Sequence, residues 1–211
     1  MDAMNQDLFV TGTDTAVGKT LLSALLVAAL HRKYWKPIQT GASEGTDRQA
    51  VMRLADVKEA ETCPEAYIFD PPVSPHLAAE QQGIEIDFNH IWRPASASTL
   101  IIEGAGGLLV PINAKQFMVD LIKHVVAAAV IATRTTLGTI NHTLLTVASA
   151  RHAGLDIRGV VMIGRENLEN RRAIERYGNV PVIGSIPWLD RIDRTTLVSV
   201  FKQHFDARAF E

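Results

Sequence analysis

Phe9-Val10-Thr11-Gly12-Thr13-Asp14-Thr15-Ala16-Val17-Gly18-Lys19-Thr20 is a glycine-punctuated polar turn set between two apolar segments of different period. The residues before it, from Asp7 to Thr11, read as a short buried strand. Those after it, Thr20 to Lys33, carry the Leu- and Ala-rich pattern of a long helix. A Gly-rich turn there aims backbone N–H groups and a helix N-terminus at anionic oxygens. Lys19 adds a mobile cation near terminal phosphates, and Thr20 a hydroxyl suited to Mg²⁺. A strict Walker A sequence would have glycine at Thr13, and Gly12 comes one residue too early. The expectation is therefore a nucleotide-phosphate site with an atypical loop, to which Thr13, Asp14, Thr15, Ala16, Val17, Gly18, Lys19 and Thr20 all contribute.

The 211 residues suffice for a full-sized core, and a single unit over 1–211 is the simplest partition. A formal net charge of -2 with no dense Lys/Arg tract argues against non-specific nucleic-acid binding. One cysteine, Cys63, excludes an intrachain disulfide framework and reads as a packed or loop thiol rather than a nucleophile. The N-terminus runs into the first strand without a basic-apolar leader, and no apolar run approaches the length of a membrane span. A reducing cytoplasm is the expected compartment.

Apolar segments alternate with helical patterns, as in an α/β protein with three layers: a mostly parallel central sheet flanked by helices. Strands are predicted at Leu8–Thr11, Tyr34–Ile38, Thr99–Glu103, Ala127–Ala132, Ile157–Ile163 and Val182–Ser185. Helices are predicted at Lys19–Arg32, Asp47–Leu54, Phe88–Arg93, Met118–Val125, Asn141–Ala153 and Leu168–Tyr177, with a last one from about Thr195 to Phe205. Residues 62–86, with Pro71, Pro72 and Pro75, read as irregular. Several strands end in polar or glycine-rich tails, and the carboxyl edge of such a sheet is where ligands bind.

Glu103, closing an apolar strand, can cap a neighbouring helix or hold Mg²⁺ together with Thr20. Asp47 has the same two readings, helix cap or metal-associated carboxylate. Lys36 is either a solvated strand end or a cation that neutralises charge in phosphoryl transfer. Its replacement by alanine is expected to cost much of the turnover and to leave the fold intact, since a strand-end lysine contributes little packing. Thr40 and Gly41 can present a hydroxyl and an N–H to the same region, and His76 can bond substrate. Nothing is spaced for a zinc site.

Six strings resemble the dethiobiotin synthetase family, in family order: Val-Thr-Gly-Thr-Asp-Thr-Ala-Val-Gly-Lys-Thr (10–20), Tyr-Trp-Lys-Pro-Ile-Gln-Thr-Gly (34–41), Val-Ser-Pro-His-Leu-Ala-Ala (73–79), Ile-Glu-Gly-Ala-Gly-Gly-Leu-Leu-Val-Pro (102–111), Leu-Gly-Thr-Ile-Asn-His-Thr-Leu-Leu-Thr (137–146) and Gly-Ser-Ile-Pro-Trp-Leu (184–189). The resemblance implies a P-loop NTPase-like fold, ATP and Mg²⁺ as cofactors, and 7,8-diaminononanoate with CO₂ or bicarbonate as substrates. It also implies a homodimer with the substrate site at the interface. Carried onto this sequence, it gives Lys36, Lys19 and Thr40 catalytic roles. Metal binding falls to Thr20, Asp47 and Glu103. The nucleotide would be lined by the phosphate loop, Glu103, Gly106, Gly107, Pro187 and Trp188. The substrate would meet Lys36 and Thr40, with Gly138, Thr139 and Asn141 seating its carboxylate from the neighbouring subunit. Read without the resemblance, Asn141 is a helix cap.

Two departures stand out. Family members often carry glutamate where Ala16 stands. An asparagine commonly reads adenine after the fifth core strand, and Val161-Met162-Ile163-Gly164-Arg165 contains none. Relaxed base selectivity with intact phosphate binding is the expectation. The competing class is a regulatory or partitioning P-loop ATPase, whose extra loop lysine is missing at Asp14-Thr15-Ala16. Another amine or carboxylate ligase of cofactor synthesis is the alternative among enzymes.

Overall fold

The structure, a computed structural model, describes residues 6–96 and 98–210; the outermost residues of the expected 1–211 unit lie outside that range. The strands are β1 (Leu8–Gly12), β2 (Lys33–Trp35), β3 (Ile38–Gln39), β4 (Thr62–Cys63), β5 (Tyr67–Ile68), β6 (Leu100–Glu103), β7 (Ala128–Arg134), β8 (Ile157–Ile163) and β9 (Val182–Ile186). The helices are α1 (Lys19–Leu30), α2 (Asp47–Ala55), α3 (Pro75–Gln81), α4 (Met118–His124), α5 (Thr139–His152), α6 (Leu168–Gly178) and α7 (Arg194–His204). Among the described residues, seven strands pair in parallel in the order β4-β2-β6-β1-β7-β8-β9, and β3 pairs β5 in a small second sheet.

Alternation along the strands sends side chains to two cores. Leu8 and Val10 of β1, Ile101 of β6 and Val130 of β7 meet α1, α2 and α7 on one face. Phe9, Leu100 and Ile102 meet α3 and α4 on the other, where α5 and α6 continue the layer beyond β7. Helix α1 is wrapped by the sheet, α2 and α7, which explains why its apolar residues leave no polar stripe. Leu22, Leu25 and Leu26 are fully buried there, each worth about 1.5–3 kcal/mol of burial. The last helix thus finds the partner its sequence did not reveal: Leu197, Val200 and Phe201 pack in the α1 core.

Strand β1 sits between β6 and β7, so the chain crosses away from it in both directions and opens a crevice at its carboxyl end. The opposite end is tied by Asp7, which accepts from Arg93 Nε at 2.5 Å, Arg93 Nη2 at 2.9 Å and the Leu100 N–H at 2.8 Å.

Three predicted elements differ. The expected Tyr34–Ile38 strand breaks at Pro37, which lacks the N–H a sheet needs, so β2 and β3 join different sheets and Lys36 turns out of the ladder. The expected Phe88–Arg93 helix is only a 3₁₀ turn over Phe88–His90, because Arg93 precedes Pro94 and is drawn to Asp7. The stretch read as irregular contains β4, β5 and α3. Cys63 lies buried in edge strand β4, and burial pushes its thiol up.

Candidate active site

The carboxyl ends of β1, β2, β6 and β7 bring Thr13, Lys36, Glu103 and Arg134 to one edge. The loop from Gly12 to Gly18 turns tightly there. A Cβ at Gly12 would lie 2.7 Å from Val17 Cγ2, 3.0 Å from Asp14 O and 3.3 Å from Lys19 Nζ. The early glycine therefore serves the close approach that a strict motif assigns one position later. Gly18, at φ +93°, caps α1 with no side-chain oxygen, which leaves the first N–H groups of α1 for an anion. Ala16 holds φ +55°, and Asp14 Oδ1 accepts from the Thr15 N–H at 2.7 Å. Lys19 Nζ donates to Asp14 O at 3.0 Å. Burial lowers the Lys19 pKa to about 8 even though Glu103 pulls the other way.

Beside Lys19 the polar groups converge. The Thr20 hydroxyl lies 2.5 Å from Asp47 Oδ1 and 2.9 Å from Glu103 Oε1, with one proton to share between two carboxylates. Lys36 Nζ stands 2.8 Å from Asp47 Oδ2, 3.4 Å from Glu103 Oε1 and 3.5 Å from Gly104 O. Burial alone would lower Lys36, but Glu103 and Asp47 outweigh it and hold the ammonium above its ordinary pKa. Burial would likewise raise Asp47, and Lys36 with the Thr20 hydroxyl keeps it below the usual carboxylate range. The reading of Lys36 as a solvated strand end is overturned: only 4% of the residue is exposed. Asp47 is the first residue of α2 rather than its cap, since Thr46 caps by accepting from the Gln49 N–H. Two carboxylates and a hydroxyl form the hard-oxygen donor set that suits Mg²⁺ with phosphates and water completing it.

These groups line a cavity of about 610 Å³, which Thr15, Ala16, Gly18, Thr40 and Gly106 also line. Gly106, at φ +70°, is on its wall, whereas Gly107 packs against the phosphate-loop backbone, where an added Cβ would come within 3.3 Å of Gly12 O. A second, mostly apolar cavity of about 510 Å³ shares Ala16 and Gly18 with the first and is lined by Val17, Ile163, Pro187 and Trp188. A small cavity of about 90 Å³ brings Thr13 and Asp14 against Gly138 and Thr139. Asn141 is exposed on the first turn of α5, and the Thr139 hydroxyl is engaged with Thr133 at 2.8 Å and Arg134 O at 2.6 Å. His76 Nδ1 pairs with Ser74 Oγ at 3.0 Å.

Sequence reasoning missed three supporting groups. Tyr34, deep in β2, donates to Glu103 Oε2 at 3.0 Å. Gln39 Oε1 accepts from the Asp47 N–H at 3.0 Å. Arg134 Nη2 donates to Thr15 O at 2.8 Å. A polar atom on an otherwise buried strand signals Tyr34 and Gln39; nothing local signals the reach of Arg134.

Residues 6–196 match a family model described as an AAA domain. The chain is 44% identical over 207 residues to the ATP-dependent dethiobiotin synthetase BioD of Rhodopseudomonas palustris strain HaA2, covering 98% of this chain and 97% of that protein. It is 44% identical over 193 residues to the protein of the same name from Paramagnetospirillum magneticum, covering 92% and 93%. Among solved structures, a ParA family ATPase from Chlorobium tepidum is 13% identical with a TM-score of 0.51, covering 93% of this chain and 92% of that one, a likeness of fold alone.

Proposed function

Because the chain belongs to the family of ATP-dependent dethiobiotin synthetases, we propose that it closes the ureido ring of dethiobiotin from 7,8-diaminononanoate, CO₂ and ATP, acting in the cytoplasm as one ATP-binding domain over 1–211. The observation that carries this reading is the buried Lys36 ammonium set between Asp47 and Glu103, facing the same cavity as Lys19 and Thr20.

One amine nitrogen attacks CO₂ and loses a proton, giving a carbamate. A carbamate oxygen then attacks the γ-phosphorus and ADP leaves. The second amine attacks the carbamoyl carbon, the bond to the phosphate oxygen breaks, and phosphate departs with the electron pair as the nitrogen gives up its proton. Each step accumulates or moves negative charge in one place, so fixed cations lower its barrier. Lys36 faces the carbamate and the transferred phosphoryl group, and Lys19 holds the phosphates with the α1 N-terminus. Thr40 hydrogen-bonds the substrate. Thr20, Asp47 and Glu103 would hold Mg²⁺, which screens charge on the phosphates. The apolar cavity at Pro187 and Trp188 takes the base.

The α5 N-terminus, at Gly138, Thr139 and Asn141, serves the substrate carboxylate of a neighbouring subunit. Exposed Leu137 and Leu145 on that side of the molecule supply apolar surface for a homodimer. No helix among the described residues is long and apolar enough to cross a membrane.

The test is turnover with ATP, bicarbonate, 7,8-diaminononanoate and Mg²⁺, read as dethiobiotin by mass spectrometry and as ADP. Product coupled to ADP is expected. Folded, nucleotide-binding protein that makes neither overturns the reading.

A further inference from the structure

Thr133, next to last in β7, is fully buried, and its hydroxyl meets three others: Thr139 at 2.8 Å, Thr143 at 2.9 Å and Thr13 at 3.3 Å. The direction of these bonds is determined at one end. Thr139 gives its single hydroxyl proton to Arg134 O at 2.6 Å, and a carbonyl only accepts. Thr133 therefore donates to Thr139, and Thr13 and Thr143 both donate to Thr133. Its one proton and both lone pairs are used, so the hydroxyl has no spare capacity.

The chain of donors runs from the phosphate loop, at Thr13, to the first turn of α5 at Thr139. The same strand end grips the loop twice more, through the Thr13 N–H on Ala132 O at 3.0 Å and through Arg134 Nη2 on Thr15 O at 2.8 Å. One rigid corner thus fixes the phosphate loop on one side and the α5 N-terminus on the other. In a buried, saturated hydroxyl network no member can move without breaking a bond, so a shift of the loop on nucleotide binding is passed to the α5 N-terminus.

We infer that Thr133 is a positioning residue that couples the nucleotide loop to the α5 N-terminus, so that nucleotide and diamine bind with mutual reinforcement. This rests on the proposed seating of the substrate carboxylate at Gly138 and Thr139. Since that seat serves the neighbouring subunit, the coupling joins the two sites of the dimer.

The test is calorimetric titration of 7,8-diaminononanoate into the intact protein with Mg²⁺, with and without a non-hydrolysable ATP analogue, for wild type, Thr133→Ser and Thr133→Val. Wild type and the serine variant are expected to bind diamine about tenfold more tightly when the analogue is present. The valine variant is expected to show less than about twofold enhancement, with its affinity for the analogue alone little changed. Thr13→Val removes the first donor at a half-buried position in the loop itself. At analogue concentrations shown by titration to saturate it the same loss is expected, which keeps the test decisive should Thr133→Val not fold. Full enhancement in either valine variant overturns the coupling, as does diamine binding in wild type that is indifferent to the analogue. Failure of wild type to bind diamine under either condition overturns the proposed function, and the coupling with it.

Discussion

Lys36 and Asp47 meet at 2.8 Å, the ammonium closed off from water and the carboxylate only partly open to it. Glu103, buried behind them, makes two carboxylates for one ammonium. Lys19, charged below pH 8 and lining the same cavity, balances the second carboxylate, and the two carboxylates stay the hard oxygens that a cation beside the phosphates would use.

Replacing Lys36 by alanine removes the cation from both carboxylates. Turnover is expected to fall about 10²–10³-fold, the scale of losing one fixed transition-state charge partner. Contrary to the expectation for a strand-end lysine, stability should fall as well, by up to about 3–5 kcal/mol, since Lys36 is buried and its carboxylates are left without it. Mg²⁺ with an ATP analogue should restore much of the lost Tm by supplying positive charge to the same oxygens. Thermal melts with and without these ligands, alongside kcat, check both halves; unchanged kcat at saturation removes Lys36 from the mechanism.

The same lysine shows where the sequence was legible and where it was not. The phosphate loop was readable because strand, turn and helix are local and their residue types are restrictive. The carboxyl edge was readable because parallel strands must present their ends together, so Lys36, Thr40, Glu103 and Gly106 could be assigned to one crevice without coordinates. Burial of Lys36 was not readable, since Pro37 looks like the end of a strand from either a solvated or an enclosed position. The short edge strand at Thr62–Cys63 and helix α3 were hidden among prolines because their stability is tertiary. The brace at Arg134 joins residues more than a hundred apart in sequence and left no periodic trace.

With Lys19 in its proposed place on the phosphates, nucleotide binding becomes a proton-coupled event. Burial sets its pKa to about 8 in the ligand-free site, and phosphates raise it again on binding. Below pH 8 the lysine is charged in both states, so affinity is at its full value. Above pH 8 the free site must take up a proton, and affinity falls towards tenfold per pH unit until the complex itself titrates. Folding has the opposite sign in this window. The native lysine binds fewer protons than the unfolded one between about pH 8 and 10.5, so this group's contribution to stability rises with pH there. Calorimetry near pH 9 in buffers of different ionisation enthalpy should show fractional proton uptake, and Lys19→Arg should abolish it.

The cavity proposed for the base favours broad nucleotide use. Its wall is mostly apolar, with Pro187, Trp188, Leu189 and Ile163, and Thr135, Thr136 and Arg165 are among the polar side chains beside them. The asparagines that follow are engaged with backbone, Asn167 accepting from the Asn170 N–H and Asn170 donating to Thr135 O. Aromatic and apolar faces stack on any base. ATP, CTP and GTP at equal concentration are expected to give kcat/KM values within about tenfold of one another. Trp188→Ala should weaken all three by a similar factor of about ten. A strong preference for ATP in wild type overturns the relaxed selectivity and assigns the reading of the base edge to backbone groups or to the polar side chains of the cavity.

Leu137 just before α5 and Leu145 within it are exposed, as is Asn141 on its first turn. Leu137, fully exposed in the turn before Gly138, and Leu145 on α5 are apolar surface near the proposed carboxylate seat, where a second copy would cover them. Leu137→Glu with Leu145→Glu places like charges across a two-fold interface and leaves each protomer's core untouched. The expected result is a monomer by light scattering, with the Tm of nucleotide-bound protein changed little. If the carboxylate seat comes from the neighbouring subunit, the KM for diamine rises by more than about tenfold while the KM for ATP moves far less. A dimer that persists in the double variant places the interface elsewhere. A monomer with unaltered diamine KM shows that each protomer completes its own site, and would transfer the role of Gly138, Thr139 and Asn141 from the partner's substrate to the protomer's own loop.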